Sequence, residues 1–166
     1  MSRRTFALAI VLASLLAACG STSRVMSAPR VTAIGPVLAA TALAPETGTV
    51  VAVYFGLADE ESSSTDILFE VSRGSGEFVA LGTSEAAGSI AFGGDGLVSL
   101  SAPLRGIVHR ILWKPPANLS PTESVRLRLT PFEPKLAPPP VGLEGLTGVP
   151  ITSAPFQVGS LAPDRS

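Results

Sequence analysis

The sequence predicts an all-β domain, an antiparallel β-sandwich of about seven short strands. Apolar residues recur with period two, as in Val51, Val53, Phe55 and Leu57, the alternation that sets every second side chain on one face of a strand. The 16 glycines and 15 prolines fall mostly between apolar runs, which marks short strands joined by many turns. No window carries the 3.6-residue periodicity of an amphipathic helix. A small closed barrel is the other all-β arrangement that the pattern allows.

The chain opens with a segment of different character. Met1 to Arg4 is short and basic, and residues 6–16 form an apolar run. That run is too short to span a bilayer but suits the central part of a signal peptide. Leu16-Ala17-Ala18-Cys19 follows and resembles the lipobox of bacterial lipoproteins. The resemblance implies cleavage after residue 18, a diacylglyceryl thioether on Cys19 and an acylated new amino terminus. One fatty chain holds a protein only marginally to a membrane, whereas two or three on one residue hold it permanently in practice. Cys19 is the single cysteine, so no intramolecular disulfide is expected. Gly20 follows the cysteine where an aspartate would resemble an inner-membrane retention signal, so the resemblance implies the outer membrane if the cell has one. Ser2-Arg3-Arg4-Thr5-Phe6 is similar to a twin-arginine export signal, although paired arginines also occur in Sec signals.

Residues 19–48 read as the lipidated cysteine, a tether and a possible first edge strand. Residues 21–29 are small, polar and aperiodic, and nine extended residues reach up to about 30 Å. Val31 to Ile34 is the possible edge strand, ended by Gly35-Pro36. Residues 49–159 are the sandwich. Its first strand covers residues 50–57, with a turn at Asp59. A second covers 66–72 and breaks at Gly74-Ser75-Gly76, with 78–81 as its hairpin partner. Weak strands are expected at 89–92 and 97–101. A strong one follows at 107–113, with His109, Ile111 and Trp113 on one face. Val125, Leu127 and Leu129 alternate with Arg126, Arg128 and Thr130, so the two arginines mark a wet face. The last strand is 154–158, and residues 160–166 are a tail.

Several short stretches stand in a telling order: Leu57-Ala58-Asp59, Phe69-Glu70-Val71-Ser72, Ile111-Leu112-Trp113, Val125-Arg126-Leu127-Arg128-Leu129 and Ser153-Ala154-Pro155-Phe156-Gln157-Val158. Together they resemble the fibronectin type III/immunoglobulin-like modules of bacterial surface proteins, over roughly residues 49–159. The resemblance implies a seven-strand sandwich acting as a spacer, adhesive or docking unit. It departs from that pattern in the long 132–152 connection and the loose 82–106 stretch. No second copy is present.

Composition narrows the function. Net charge is −1 before the signal arginines are removed, which argues against nucleic acid as a partner. His109 is the only histidine, mid-strand and without a companion nucleophile in any recognisable context, so it reads as structural and the chain as non-enzymatic. A zinc site would need more His or Cys ligands than the mature chain has. No cofactor is expected, because phosphate and dinucleotide loops are absent and Gly93-Gly94-Asp95-Gly96 is a turn with no helix after it. Asp59, Glu60, Glu61 and Asp66 are weak calcium candidates, being carboxylates in and beside one connection without the spacing of a calcium loop.

The 132–152 connection is stiffened by Pro134, Pro138, Pro139, Pro140 and Pro150 and offers Leu136, Val141, Leu143 and Leu146. Long loops of this kind are usually functional or disordered, and the prolines make this one stiff. It reads either as a contact ridge beside the acidic loop, at one end of the sandwich, or as a cover over an open sheet edge. The chain is therefore expected to be a lipid-anchored envelope protein that meets an unknown envelope protein through its sandwich. A carbohydrate- or ion-binding module is the alternative, and a hydrolase ranks third.

Overall fold

The computed structural model describes residues 27–38, 48–133 and 146–164, so the signal segment, Cys19 and most of the tether at 21–29 lie outside the described residues. The described chain is all-β, with β1 (Arg30–Leu38), β2 (Val51–Ala58), β3 (Ser64–Arg73), β4 (Val79–Ala80), β5 (Ser89–Ile90), β6 (Leu100–Ser101), β7 (Ile107–Lys114), β8 (Ser124–Phe132), β9 (Ile151–Thr152) and β10 (Phe156–Gln157). Two 3-10 turns, Glu85–Ala87 and Val158–Ser160, complete it. One antiparallel sheet has the order β1-β2-β7-β5; the other has the order β10-β8-β3-β4, with β6 added to β3 and β9 to β8.

The described residues form ten strands where about seven were expected; the stretches expected at 78–81, 89–92, 97–101 and 154–158 each shrink to two-residue pairings, and β9 was not foreseen. The long strands β2, β3, β7 and β8 fall where the period-two alternation is strongest. Inward Val51, Val53, Phe55, Leu57, Ile111 and Trp113 meet inward Ile67, Phe69, Val71, Val125, Leu127 and Leu129 in one buried core. Fully burying such a side chain contributes about 1.5–3 kcal/mol. Strand β1 does not stop at Gly35-Pro36 but continues to Leu38, with Pro36 opposite Val53. An edge strand needs hydrogen bonds along one side only, so a proline is tolerated there.

The strands run between two ends of unlike character. At one end lie the connections 59–63 and 102–106, the Phe132–Thr147 bridge and the start of β1. Gly148 is buried against Pro29 there; a Cβ on Gly148 would fall on the Pro29 carbonyl. At the other end lie Gly48-Thr49, the 74–77 turn, the connection 115–123 and the Val158–Ser160 turn. The chain coming from Cys19 thus joins the sandwich at the first end, called here the tether end.

Candidate interaction surfaces

The acidic loop is built into the tether end. Asp59 is buried, and its Oδ2 accepts a hydrogen bond from the Ser63 amide at 2.7 Å. Its Oδ1 is buried without a hydrogen-bond partner. Glu61 accepts from both the amide and the hydroxyl of Ser27, at 3.1 and 3.0 Å. Chiefly the Ser27 amide bond, and with it the hydroxyl bond, holds the Glu61 carboxyl below its ordinary range, against a smaller opposing effect of burial. Asp66 Oδ1 accepts from the Ser99 amide at 2.8 Å, and Glu60 is exposed. Three of the four acids therefore brace loop backbone. Among the described residues no three His, Cys, Asp or Glu side chains are grouped to hold a metal ion.

His109 is buried on the inward face of β7, its ring 5.6 Å from that of Phe55. Its Nε2 donates to the Ser101 carbonyl at 2.7 Å, and its Nδ1 lies 3.3 Å from Asp95 Oδ2. Asp95 also accepts from the Arg110 amide. The histidine thus joins β6 and the 93–96 turn to β7. Trp113 is completely buried, with Nε1 donating to the Ala87 carbonyl at 2.8 Å, so its indole offers no sugar a stacking surface. Tyr54 is half-buried and donates to Asp164 Oδ2 at 2.7 Å.

The expected wet face of β8 is partly covered. Arg128 grips Glu70, directly opposite on β3, through two bonds of 2.6 Å. Phe78, brought over by the β3–β4 turn, lies 4.2 Å from the Arg128 guanidinium and 5.5 Å from that of Arg126. Attraction between cation and ring face offsets the partial loss of water.

Of the ridge candidates, Leu136, Val141 and Leu143 lie outside the described residues, and Leu146 is half-buried. The Leu146 carbonyl accepts from the Glu133 amide, and Gly148 donates to the Pro131 carbonyl. Both feet of the long connection are therefore fastened to β8 at the tether end, beside the acidic loop.

The opposite end holds a cleft of about 950 Å³. Gly48-Thr49, the Glu85–Ala87 turn, Pro115-Pro116, Pro121 and Val158-Gly159 form its walls. Its rim is braced: Arg73 pairs with Glu123 through bonds of 2.9 and 2.8 Å and donates to Asn118 Oδ1 at 3.0 Å. The shared hydrogen bonds raise the Arg73 pKa and lower that of Glu123. Gly88, at φ 80°, is required there, since a Cβ would meet the Lys114 carbonyl. Apart from its prolines, nothing in the sequence of residues 114–121 marks them as a wall; the cleft exists because four separate segments end together.

Compared with protein families, curated proteins and solved structures, the chain matches none. Among the described residues no helix is long and apolar enough to cross a membrane.

Proposed function

We propose that this chain is a membrane-anchored, non-enzymatic envelope lipoprotein whose sandwich binds another envelope protein. The observation that carries this reading is the separation of the two ends. The chain leading back to Cys19 joins at one end, while the braced cleft opens at the other. A lipid-tethered module that presents its partner site away from the anchor would have this arrangement. Proline-stiffened walls lose little entropy when they order a partner. The bonding of His109 supports a structural role for it, in keeping with a binding module.

The strand orders β1-β2-β7-β5 and β4-β3-β8-β10 correspond to the A-B-E-D and C′-C-F-G orders of immunoglobulin-type sandwiches. That correspondence supports the fibronectin type III/immunoglobulin-like reading. We favour the cleft over the proline ridge as the partner site, because the residues that flank the ridge, Glu133 and Leu146, lie at the tether end.

A photo-crosslinking residue at Ala117, on the cleft rim, tests the proposal in living cells. A protein adduct that vanishes when Ala86→Trp fills the cleft is the expected result. An adduct insensitive to Ala86→Trp overturns the cleft. If replacing residues 135–144 with a Gly/Ser segment removes the adduct instead, the ridge is the site.

A further inference from the structure

We propose that the tether end of the sandwich rests on the bilayer, with the 102–106 turn dipping among the lipids. The proposal rests on the reading of Cys19 as the anchor. Most of the large hydrophobic side chains that the described residues leave exposed gather toward this end. Leu104 (56% exposed), Ile107 and Val108 (66%) stand on and beside the turn, with Val98 and Val149 on the flanking edges. Their places follow from the strand register. Ile107 is paired with Leu57 at the end of β2. Val98 lies between Leu97, whose carbonyl bonds the Ile67 amide, and Ser99, which bonds Asp66. Val149 follows Gly148, which is fastened to Pro131 at the end of β8.

The turn itself suits shallow immersion. Backbone groups unpaired in lipid are costly. Here the Gly106 amide donates to the Pro103 carbonyl at 2.7 Å, and Pro103 has no amide hydrogen to leave unpaired. Arg105 is exposed beside Leu104, so its long side chain can keep its charge at the phosphates while its stem lies along apolar surface. Charge at this end does not oppose approach. Asp59 is buried, Glu61 and Asp66 are occupied by Ser27 and Ser99, and Glu133 is half-buried. Exposed Glu60 is matched by exposed Arg30 and Arg105.

Chain length selects lipid as the occupant. Ser27 is bonded to Glu61 at this end and stands only eight positions after Cys19. Eight extended residues cover at most about 29 Å. An acylated Cys19 therefore keeps this end close to the head groups, where an apolar patch removed from water adds to the hold of the anchor.

The test uses the full lipidated chain in vesicles of phosphatidylethanolamine and phosphatidylglycerol. Leu104→Cys or Val98→Cys carries an environment-sensitive fluorophore, with Ser75→Cys, at the opposite end, as the reference. Acylation leaves each chain with one free thiol. Brominated acyl chains should quench the labels at 104 and 98 several-fold more than the label at 75. Adding Val108→Ser should lessen quenching at 98 while the melting temperature stays unchanged. Equal quenching at both ends, with the 104 label open to aqueous iodide, overturns the proposal. Shielding of that label only when an envelope protein is added also overturns it, since the face would then belong to a protein. Mass spectrometry of the Cys19 peptide separates the two readings. Acylated Cys19 with an aqueous 104 label defeats the docking alone, whereas unmodified Cys19 defeats the anchor and the docking together.

Discussion

Trp113 is the last inward residue of β7 and fills the core beside Phe69, with ring centroids 6.5 Å apart. Trp113→Ala should lower the unfolding free energy by about 3–5 kcal/mol, measured by urea denaturation. Trp113→Phe keeps most of the volume but leaves the Ala87 carbonyl unpaired, at a cost of about 1–3 kcal/mol. Burial of the indole was legible in the alternation of His109, Ile111 and Trp113. Its partner was not, because residues 82–106 have no periodicity to mark where Ala87 would come to lie. Glu61 adds a pH dependence. Its folded pKa lies below the ordinary 4.5, so the Ser27 contact contributes fully above that value and is lost as pH falls through the lowered one. Hydrogen exchange at the Ser27 amide should therefore gain a loosening step in acid that Glu61→Gln abolishes.

Among the elements, β3 and β8 form the central ladder of their sheet, in register from Asp66 opposite Phe132 to Arg73 opposite Val125. Glu70 and Arg128 face each other on its outer side, and Glu70 is buried. Arg128→Ala would strand that carboxylate, so a loss of about 1–3 kcal/mol is expected, more than the ~0–1 kcal/mol of an exposed pair. A lowered urea midpoint with an unchanged slope would register it. The alternation made both strands legible, and it set the two arginines on the outer face. It could not show that a hairpin turn would swing Phe78 across them. In the same way Gly35-Pro36 looks like a strand end when each residue is weighed alone. Only an edge position beside β2 lets β1 run on to Leu38. Gly88→Ala, which drives a Cβ toward the Lys114 carbonyl at positive φ, should cost about 1–3 kcal/mol and loosen the cleft wall, as read by thermal melting.

For the whole molecule the governing fact is polarity from end to end. Cys19→Ala should leave the protein soluble or unprocessed in cell fractionation; unchanged processing and lipid labelling would refute the anchor. Replacing residues 135–144 while keeping Leu146 and Gly148 should preserve the fold, since those feet hold the chain to β8 through backbone bonds. A melting temperature within a few degrees of wild type checks this. A deletion running to Pro150 would instead strip the edge beside β8.

The sequence by itself determined the all-β class and the alternating strands β2, β3, β7 and β8, because side-chain alternation is a local property set by backbone geometry. It also marked Cys19, through four adjacent residues. A shared end for the acidic loop and the 132–152 connection was expected; tertiary structure alone decided how the other connections group. It put Ser27 on Glu61, made braces of three acids read as weak calcium candidates, and gathered four segments around a cleft. Those are relations between residues far apart in the chain, and they arise only when strand order and register bring the connections together.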